Sequence, residues 1–218
     1  MKIKHPINLH KALTGIVIFA MMWAYQNFTL GAWVYLALHG TYGFLWLLKD
    51  QIYPDKRFEE EVAPAVGIGS FIMLALYWVA PLVLMSSGSV PSPSLVAVAV
   101  AGYTLGIFLH YTSDAQKYYT LKYRPGLITE GFFARSRNIN YLGEILIYGA
   151  FALLTQHWLP FVILGFFFGT VFFPGMVSKD KSLSRYPEFS EYKNKSGLLL
   201  PNLFKPSESG NFSQNQTP

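Results

Sequence analysis

Apolar residues in this chain run in stretches long enough to cross a lipid bilayer, and that restricts its fold more than any other feature. A transmembrane helix needs about 20 predominantly apolar residues, because the hydrocarbon core is about 30 Å thick and each residue rises about 1.5 Å. Six windows meet or approach that length: 12–30, 31–48, 64–85, 94–111, 140–154 and 158–176. The second and fifth are interrupted by glycine and polar residues. Between the third and fourth, the run Ser86-Ser87-Gly88-Ser89-Val90-Pro91-Ser92-Pro93 is a polar loop by composition. The expected fold class is therefore all-α, a polytopic membrane helix bundle of about six transmembrane helices. A signal peptide is the alternative for the first window, since lysines precede it. Its apolar stretch is long for that role, and no Ala-x-Ala cleavage site follows.

The basic residues set an orientation. Lys2, Lys4 and Lys11 come before or at the start of the first window, and Lys49, Lys56 and Arg57 lie between the second and third. Lys117, Lys122, Arg124, Arg135 and Arg137 lie between the fourth and fifth, and the remaining six follow the sixth. Those four groups hold all 17 Lys and Arg residues. Positive charge is retained on the cytoplasmic side during insertion, so both termini are expected in the cytoplasm. The chain reads as one integral-membrane domain over 1–204, with a polar tail at 205–218 that lacks any apolar period and is expected to be disordered. The Asn-x-Ser/Thr matches at Asn194, Asn211 and Asn215 fall on the cytoplasmic side and are expected to stay unmodified.

Composition agrees: 52% of residues are hydrophobic and only 13% charged, about half the charge of an ordinary soluble domain, where about 25% is usual. The net charge of +5 is accounted for by membrane orientation, without a nucleic-acid partner. With no cysteine there is no disulfide framework, no thiolate metal site and no thiol nucleophile, and no metal centre is read from the other residues.

Ionisable groups inside a bilayer are costly and ask for a reason. Glu144 is the one acidic residue inside an expected span, and it shares a helical face with Asn140 at i, i+4. Arg137 lies a further turn back. His110, Asp114 and Lys117 share another face at the end of the fourth window. Between these faces, residues 113–143 carry five basic side chains. A cavity walled by them suits a polyanionic ligand, since Arg pairs with phosphate oxygens and Lys acts as a point charge. Neither a Gly-x-Gly-x-x-Gly turn nor a Walker-type loop is present.

The string from Leu127 to Glu144, ending Asn140-Tyr141-Leu142-Gly143-Glu144, resembles the signature of the membrane steroid 5-alpha-reductases and sterol reductases. In those enzymes an Asn-aromatic-Leu-Gly-Glu/Asp segment opens a helix after an aromatic-rich turn. Upstream, Ser113-Asp114-Ala115-Gln116-Lys117 is similar to the segment ending their preceding helix. Downstream, Lys179-Asp180, Arg185-Tyr186-Pro187, Tyr192 and Leu200-Pro201 resemble their C-terminal pattern. The likeness covers about 94–204. It implies NADPH as cofactor, held at Asp114, Lys117, Arg124, Arg135, Arg137, Asn140, Tyr141, Glu144, Asp180 and Tyr192. It also implies reduction of a carbon–carbon double bond in a steroid-like or isoprenoid lipid taken from the bilayer.

A second family shares this architecture: membrane methyltransferases for isoprenylcysteine and phospholipid head groups, which use S-adenosylmethionine. Their Arg-His-Pro-x-Tyr-x-Gly hallmark stands here as Arg137-Asn138-Ile139-Asn140-Tyr141-Leu142-Gly143, without the histidine and proline. Asn140 and Glu144 match the reductases. Reducing a conjugated double bond also needs an acid that polarises the carbonyl oxygen. Tyr35, His39, Tyr42 and Trp46 form one stripe on the second window, and by resemblance Tyr42 is the candidate acid with His39 its partner. The same stripe also suits aromatic packing or anchoring. A non-enzymatic polytopic scaffold or transporter is the third reading, disfavoured because no repeat relates the two halves.

Overall fold

The computed structural model of the protein describes residues 1–203, and helices and loops with no strand make up this part. Helix α1 (Lys4–Ala24) turns tightly into α2 (Leu30–Ile52). Asn27 secures that turn, its side-chain amide donating to the carbonyls of Leu84 and Met85 at 3.3 and 3.4 Å. Then come α3 (Pro64–Ala75) and α4 (Val79–Ser87), joined by a single 3₁₀ turn into a nearly continuous rod. A loop ending in Ser92, which caps the next helix by accepting from the Leu95 amide at 3.3 Å, leads to α5 (Pro93–Tyr123). After an irregular segment, α6 (Ile139–Thr155), α7 (Trp158–Phe167), α8 (Phe173–Leu183) and the short α9 (Phe189–Lys195) follow.

Four helical stretches are long and apolar enough to cross a membrane: Lys4–Ala24, Pro64–Ser87, Pro93–Tyr123 and Trp158–Leu183, with mean hydropathies of 1.4, 2.1, 1.6 and 2.0. Large apolar side chains such as Ile16, Ile72, Val98, Phe108 and Val162 are exposed on their outer faces. Lipid, not water, is the solvent such faces suit. The chain is an integral, multi-pass membrane protein. The two interrupted windows form α2 and α6. α6, 17 residues long, measures about 25 Å at about 1.5 Å per residue and is the inner helix, with Ile147, Tyr148, Phe151 and Leu154 all buried.

Several helices outrun their expected windows, for physical reasons. α1 starts at Lys4 rather than 12, because Pro6 sits in the first turn, where its missing N–H is not needed. α5 runs on to Tyr123 rather than stopping at 111, since Asp114 and Lys117 find partners on neighbouring segments and need not leave the helix. α8 carries the last stretch to Leu183, past 176. A π-helical turn at Phe168–Phe172 joins it to α7. Pro174, just beyond, cannot donate back along the helix, which favours that widening. The expected disordered tail at 205–218 lies outside the described residues.

Two close helix crossings place the polar residues. A Cβ on Gly106 of α5 would lie 2.7 Å from the Gly143 carbonyl, and one on Gly143 would lie 2.5 Å from the His110 amide. Only hydrogen at both positions lets α6 lie this deep against α5. Likewise a Cβ on Gly43 of α2 would lie 2.5 Å from the Lys11 carbonyl of α1. The four basic groups of the sequence are linked by contacts: Lys2 and Lys4 with Glu59, Lys117 with Asp55, and Lys179 with the Arg137 carbonyl.

Candidate functional site

The irregular segment before α6 is held by the one after α9. The Gly197 amide donates to the Arg135 carbonyl, and the Arg137 amide donates to the Gly197 carbonyl, both at 2.9 Å. Ser136 Oγ donates to the Leu199 carbonyl at 2.7 Å and Asn138 Nδ2 to the Leu198 carbonyl at 2.9 Å. This lacing fixes the start of α6 and aims Arg137 inward. The Arg137 guanidinium donates to Asp180 from Nε at 2.9 Å, and from Nη1 to the Ser196 carbonyl at 2.6 Å and Ser196 Oγ at 3.1 Å.

Beside it lies a cavity of about 430 Å³ whose polar wall includes Arg57, Lys117, Arg137, Asn140, Lys179 and Tyr192. That volume falls in the range of about 300–1,000 Å³ usual for ligand sites. The cations have few direct carboxylate partners. Asp55 takes Arg57 at 2.9 Å and Lys117 at 3.2 Å, and Asp180 takes Arg137. Four basic side chains against two carboxylates leave this wall with an excess of basic groups. Burial alone would raise the Asp55 carboxyl, but the hydrogen bonds from Arg57 and the charge of Lys117 outweigh it and hold the group well below the usual carboxylate range. The hydrogen bond to Asp55 pushes the Arg57 guanidinium up. Tyr192 donates to the Phe133 carbonyl at 2.8 Å, and burial pushes its phenol up to about 12, so it stays protonated.

A second cavity of about 260 Å³ adjoins the first, sharing Arg57 and Asn140 as wall residues. Much of its wall is apolar, with Ile3, Ile7, Met73, Leu74, Phe167 and Val171. Into it come Lys11, Lys49, His110, Asp114, Glu144 and Tyr148. Here charge balances: Lys49 pairs with Asp114 at 2.7 Å and Arg57 with Asp55 at 2.9 Å, and Lys11 and Glu144 add one group of each sign. Asn140, where the cavities meet, has a buried side-chain oxygen with no hydrogen-bond partner in the protein. Its backbone carbonyl accepts from His110 Nδ1 at 3.1 Å.

The residues expected from sequence therefore divide. Lys117, Arg137, Asn140, Tyr141 and Tyr192 come together at the first cavity, with Asp180 behind Arg137. Asp114 and Glu144 line the second. Arg124 pairs with Glu130 on an exposed turn, and Arg135 donates to the carbonyls of Asn202 and Leu203 at 3.3 and 3.4 Å, so both lie off the cavity walls. Tyr42 and His39 line neither cavity. They belong to a buried aromatic layer in which His39 stacks on Phe151 at 4.1 Å and Tyr42 meets Tyr148 edge-on at 5.7 Å. Sequence reasoning passed over Arg57, Lys179, Lys11 and Tyr148 as site residues. A lysine directly at the start of the first apolar window was the available signal for Lys11. Lys2 and Lys4, expected to serve orientation alone, also grip Glu59 and so hold the loop that carries Asp55 and Arg57.

A sequence-family profile described as "Protein of unknown function (DUF1295)" matches residues 53–196, more than half of the 218-residue chain. Searches of curated proteins and of solved structures gave no match.

Proposed function

The chain belongs to the DUF1295 family, which corresponds to the steroid 5-alpha-reductase-like group, and from that premise we propose that it is a membrane oxidoreductase using NADPH to reduce a carbon–carbon double bond of a steroid-like or isoprenoid lipid. One observation carries the reading: a cavity with an excess of basic side chains lies beside a second whose charged groups balance, the two sharing Arg57 and Asn140 as wall residues. A phosphate-rich nucleotide and an apolar substrate are the pair of ligands that such a pair of cavities suits. S-adenosylmethionine, the methyltransferase cofactor, carries a sulfonium and no phosphate, and the surplus of cations opposes it.

The residues present fit NADPH. Arg57, Lys117 and Lys179 are available to its pyrophosphate and 2′-phosphate, as charge-assisted donors to phosphate oxygens. Arg137 is tied into its own network and holds the wall. The unpartnered Asn140 oxygen is an acceptor suited to the N–H of a carboxamide. A Cβ on Gly175 would come within 2.8 Å of the Tyr141 hydroxyl, so glycine there leaves room for that hydroxyl at the cavity wall, where it meets Arg57. NADPH, when bound, supplies a hydride. The protein's own part is to anchor the phosphates, to exclude water from the apolar cavity, and to bring a proton to the substrate oxygen. The lipid reaches its cavity from the bilayer, and the nucleotide binds at the end of the bundle where the basic groups converge.

Calorimetry on the purified protein in lipid nanodiscs, titrated in parallel with NADPH and S-adenosylmethionine, tests this. Micromolar or tighter binding of NADPH is expected. Tight binding of S-adenosylmethionine alone would overturn the reading in favour of methyl transfer.

A further inference from the structure

One short loop serves both cavities. Between α2 and α3, Asp55 caps a 3₁₀ turn at Lys56–Glu59, accepting from the Arg57 amide at 3.0 Å. Arg57 reaches the walls of both cavities. The next residue, Phe58, lines the apolar one, its ring 5.8 Å from that of Trp46. Asp55 also takes Lys117 at 3.2 Å, so the loop sets two of the basic side chains of the first cavity. Residues 1–4 lie across this loop as a strap. Lys2 and Glu61 form an antiparallel bridge, in which the Ile3 amide donates to the Glu60 carbonyl at 3.1 Å and the Val62 amide to the Met1 carbonyl at 2.8 Å. Lys2 and Lys4 both donate to Glu59, one to each carboxylate oxygen. Ile3, between the two lysines, lines the apolar cavity. The strap thus meets the lipid side through Ile3 and holds the nucleotide side through Glu59 and the turn that carries Arg57. Its ion pairs are partly exposed, and contacts of that kind open locally at small cost.

We propose that this strap couples the two cavities. Laced, it keeps Arg57, Phe58 and Ile3 on their walls, and both ligands bind. Released, it frees the loop, and both walls lose their shape. A ligand that prefers the laced form shifts the population toward it. A lipid in the apolar cavity therefore raises the affinity of the first cavity for nucleotide, and nucleotide raises lipid affinity by the same factor. Glu59 is a positioning residue: it lines neither cavity and acts through Arg57 and Ile3. The inference rests on the reductase reading for the identity of the two ligands and adds a regulation between their sites. Its consequence is that the hydride donor is gripped most tightly when a lipid is in place to be reduced.

The chain has no cysteine, so one engineered disulfide can lock the strap. Residues 2 and 61 are a non-hydrogen-bonded antiparallel pair, a geometry that puts Cα atoms about 4.5 Å apart, within reach of a disulfide. Lys2→Cys combined with Glu61→Cys laces the strap when oxidised and, without the Lys2 contact, loosens it when reduced. NADPH affinity is measured by calorimetry on the full-length protein in nanodiscs, with and without saturating cholestanol, a sterol with no double bond to reduce. In sterol-free discs, Glu59→Gln and the reduced double variant should bind NADPH at least about fivefold more weakly than the parent, the low end of usual coupling between sites. Sterol should recover that loss. The oxidised double variant should bind at least as tightly as the parent and ignore sterol. A fold merely weakened by substitution regains nothing on oxidation or on adding sterol. Equal NADPH Kd in all four proteins, or a sterol effect that survives in the oxidised form, overturns the inference and leaves the reductase reading standing. If circular dichroism shows that Glu59→Gln fails to fold, the oxidised and reduced forms of the double variant decide the matter. A parent protein that binds no NADPH overturns the reading itself. Hydrogen exchange at the Ile3 and Val62 amides then still tests the strap: sterol alone should slow it, and unchanged exchange overturns the coupling.

Discussion

Arg57 was not among the residues the sequence marked for the site, so its substitution is a severe test of the charge argument. Arg57→Gln keeps a long polar side chain at the cavity wall and removes one of its four cations. Asp55, which the Arg57 side chain holds at 2.9 and 3.2 Å, would then keep Lys117 at 3.2 Å and the backbone amide of residue 57 at 3.0 Å. The excess of basic side chains at the cavity falls by one. A hydrogen bond to a charged group contributes about 1.5–3 kcal/mol, so NADPH affinity should fall about ten- to a hundredfold, at about 1.4 kcal/mol per decade. Titration calorimetry at low and moderate salt reads this directly. The parent protein should lose affinity as salt rises, because partly exposed charges are screened over about 10 Å at 0.1 M, and the variant should lose less. If Arg57→Gln is folded by circular dichroism and binds NADPH with the parental Kd and salt dependence, the surplus charge is not what holds the nucleotide.

The Glu59 carboxyl, hydrogen-bonded by Lys2 and Lys4, is lowered from an ordinary 4.5 to about 2. A lowered carboxyl stabilises the fold above its ordinary pKa and loses that effect as pH falls through the lowered one. Hydrogen exchange at the amides of Ile3 and Val62, which bond across this contact, should therefore stay protected above about pH 4.5 and speed up, beyond the intrinsic rate, as pH drops toward about 2. Gly143→Ala puts a methyl 2.5 Å from the His110 amide and should cost about 1–3 kcal/mol of overpacking, read as a lower Tm in detergent together with weaker NADPH binding, since Asn140 moves with the helix. Reporter fusions after Leu30, Ser89 and Gln156 should all mark the non-cytoplasmic side, with a C-terminal fusion cytoplasmic; a split result would count against six spans.

The membrane character and the helices were open to reading from the sequence because both follow from local runs. Apolar length marks α1, α5 and the 158–183 stretch directly, and the basic clusters mark one end of the bundle. The start of α6 was legible as well, since Asn140, Gly143 and Glu144 sit within one turn and a half. What stayed hidden depends on pairing across the fold. Arg135 and Arg137 are two residues apart in one basic run, yet backbone lacing to residues 196–202 turns Arg137 to the cavity and spends Arg135 on carbonyls. Nothing local distinguishes them. Tyr42 reads as a candidate acid from its stripe, while the contact of Lys11 with Tyr148 and with the Tyr42 ring follows only from the packing of α1 against Gly43. The extension of α5 past 111 was missed because Asp114 and Lys117 look like a helix end until Lys49 and Asp55 are placed beside them.

Both cavities draw on the matched residues 53–196, and the second also reaches the start of the chain. The polar wall of the first, from Arg57 through Lys117, Arg137 and Lys179 to Tyr192, falls wholly within the matched residues 53–196. The second takes Ile3, Ile7, Lys11, Trp46 and Lys49 from before residue 53. Under the reductase reading, the nucleotide side is the portion the family profile describes, and α1 and α2 shape the space for the lipid. The division has a physical basis. A phosphate-rich ligand needs the same set of cations whatever substrate is reduced, so its wall is built around one charge pattern. An apolar ligand is selected by volume and shape, and substitutions at Ile3 or Ile7 change those without touching the lacing that holds Arg137. Lys11 is the exception on that helix: its side chain donates to the hydroxyl of Tyr148 on α6, so it ties α1 to the inner helix that also carries Asn140.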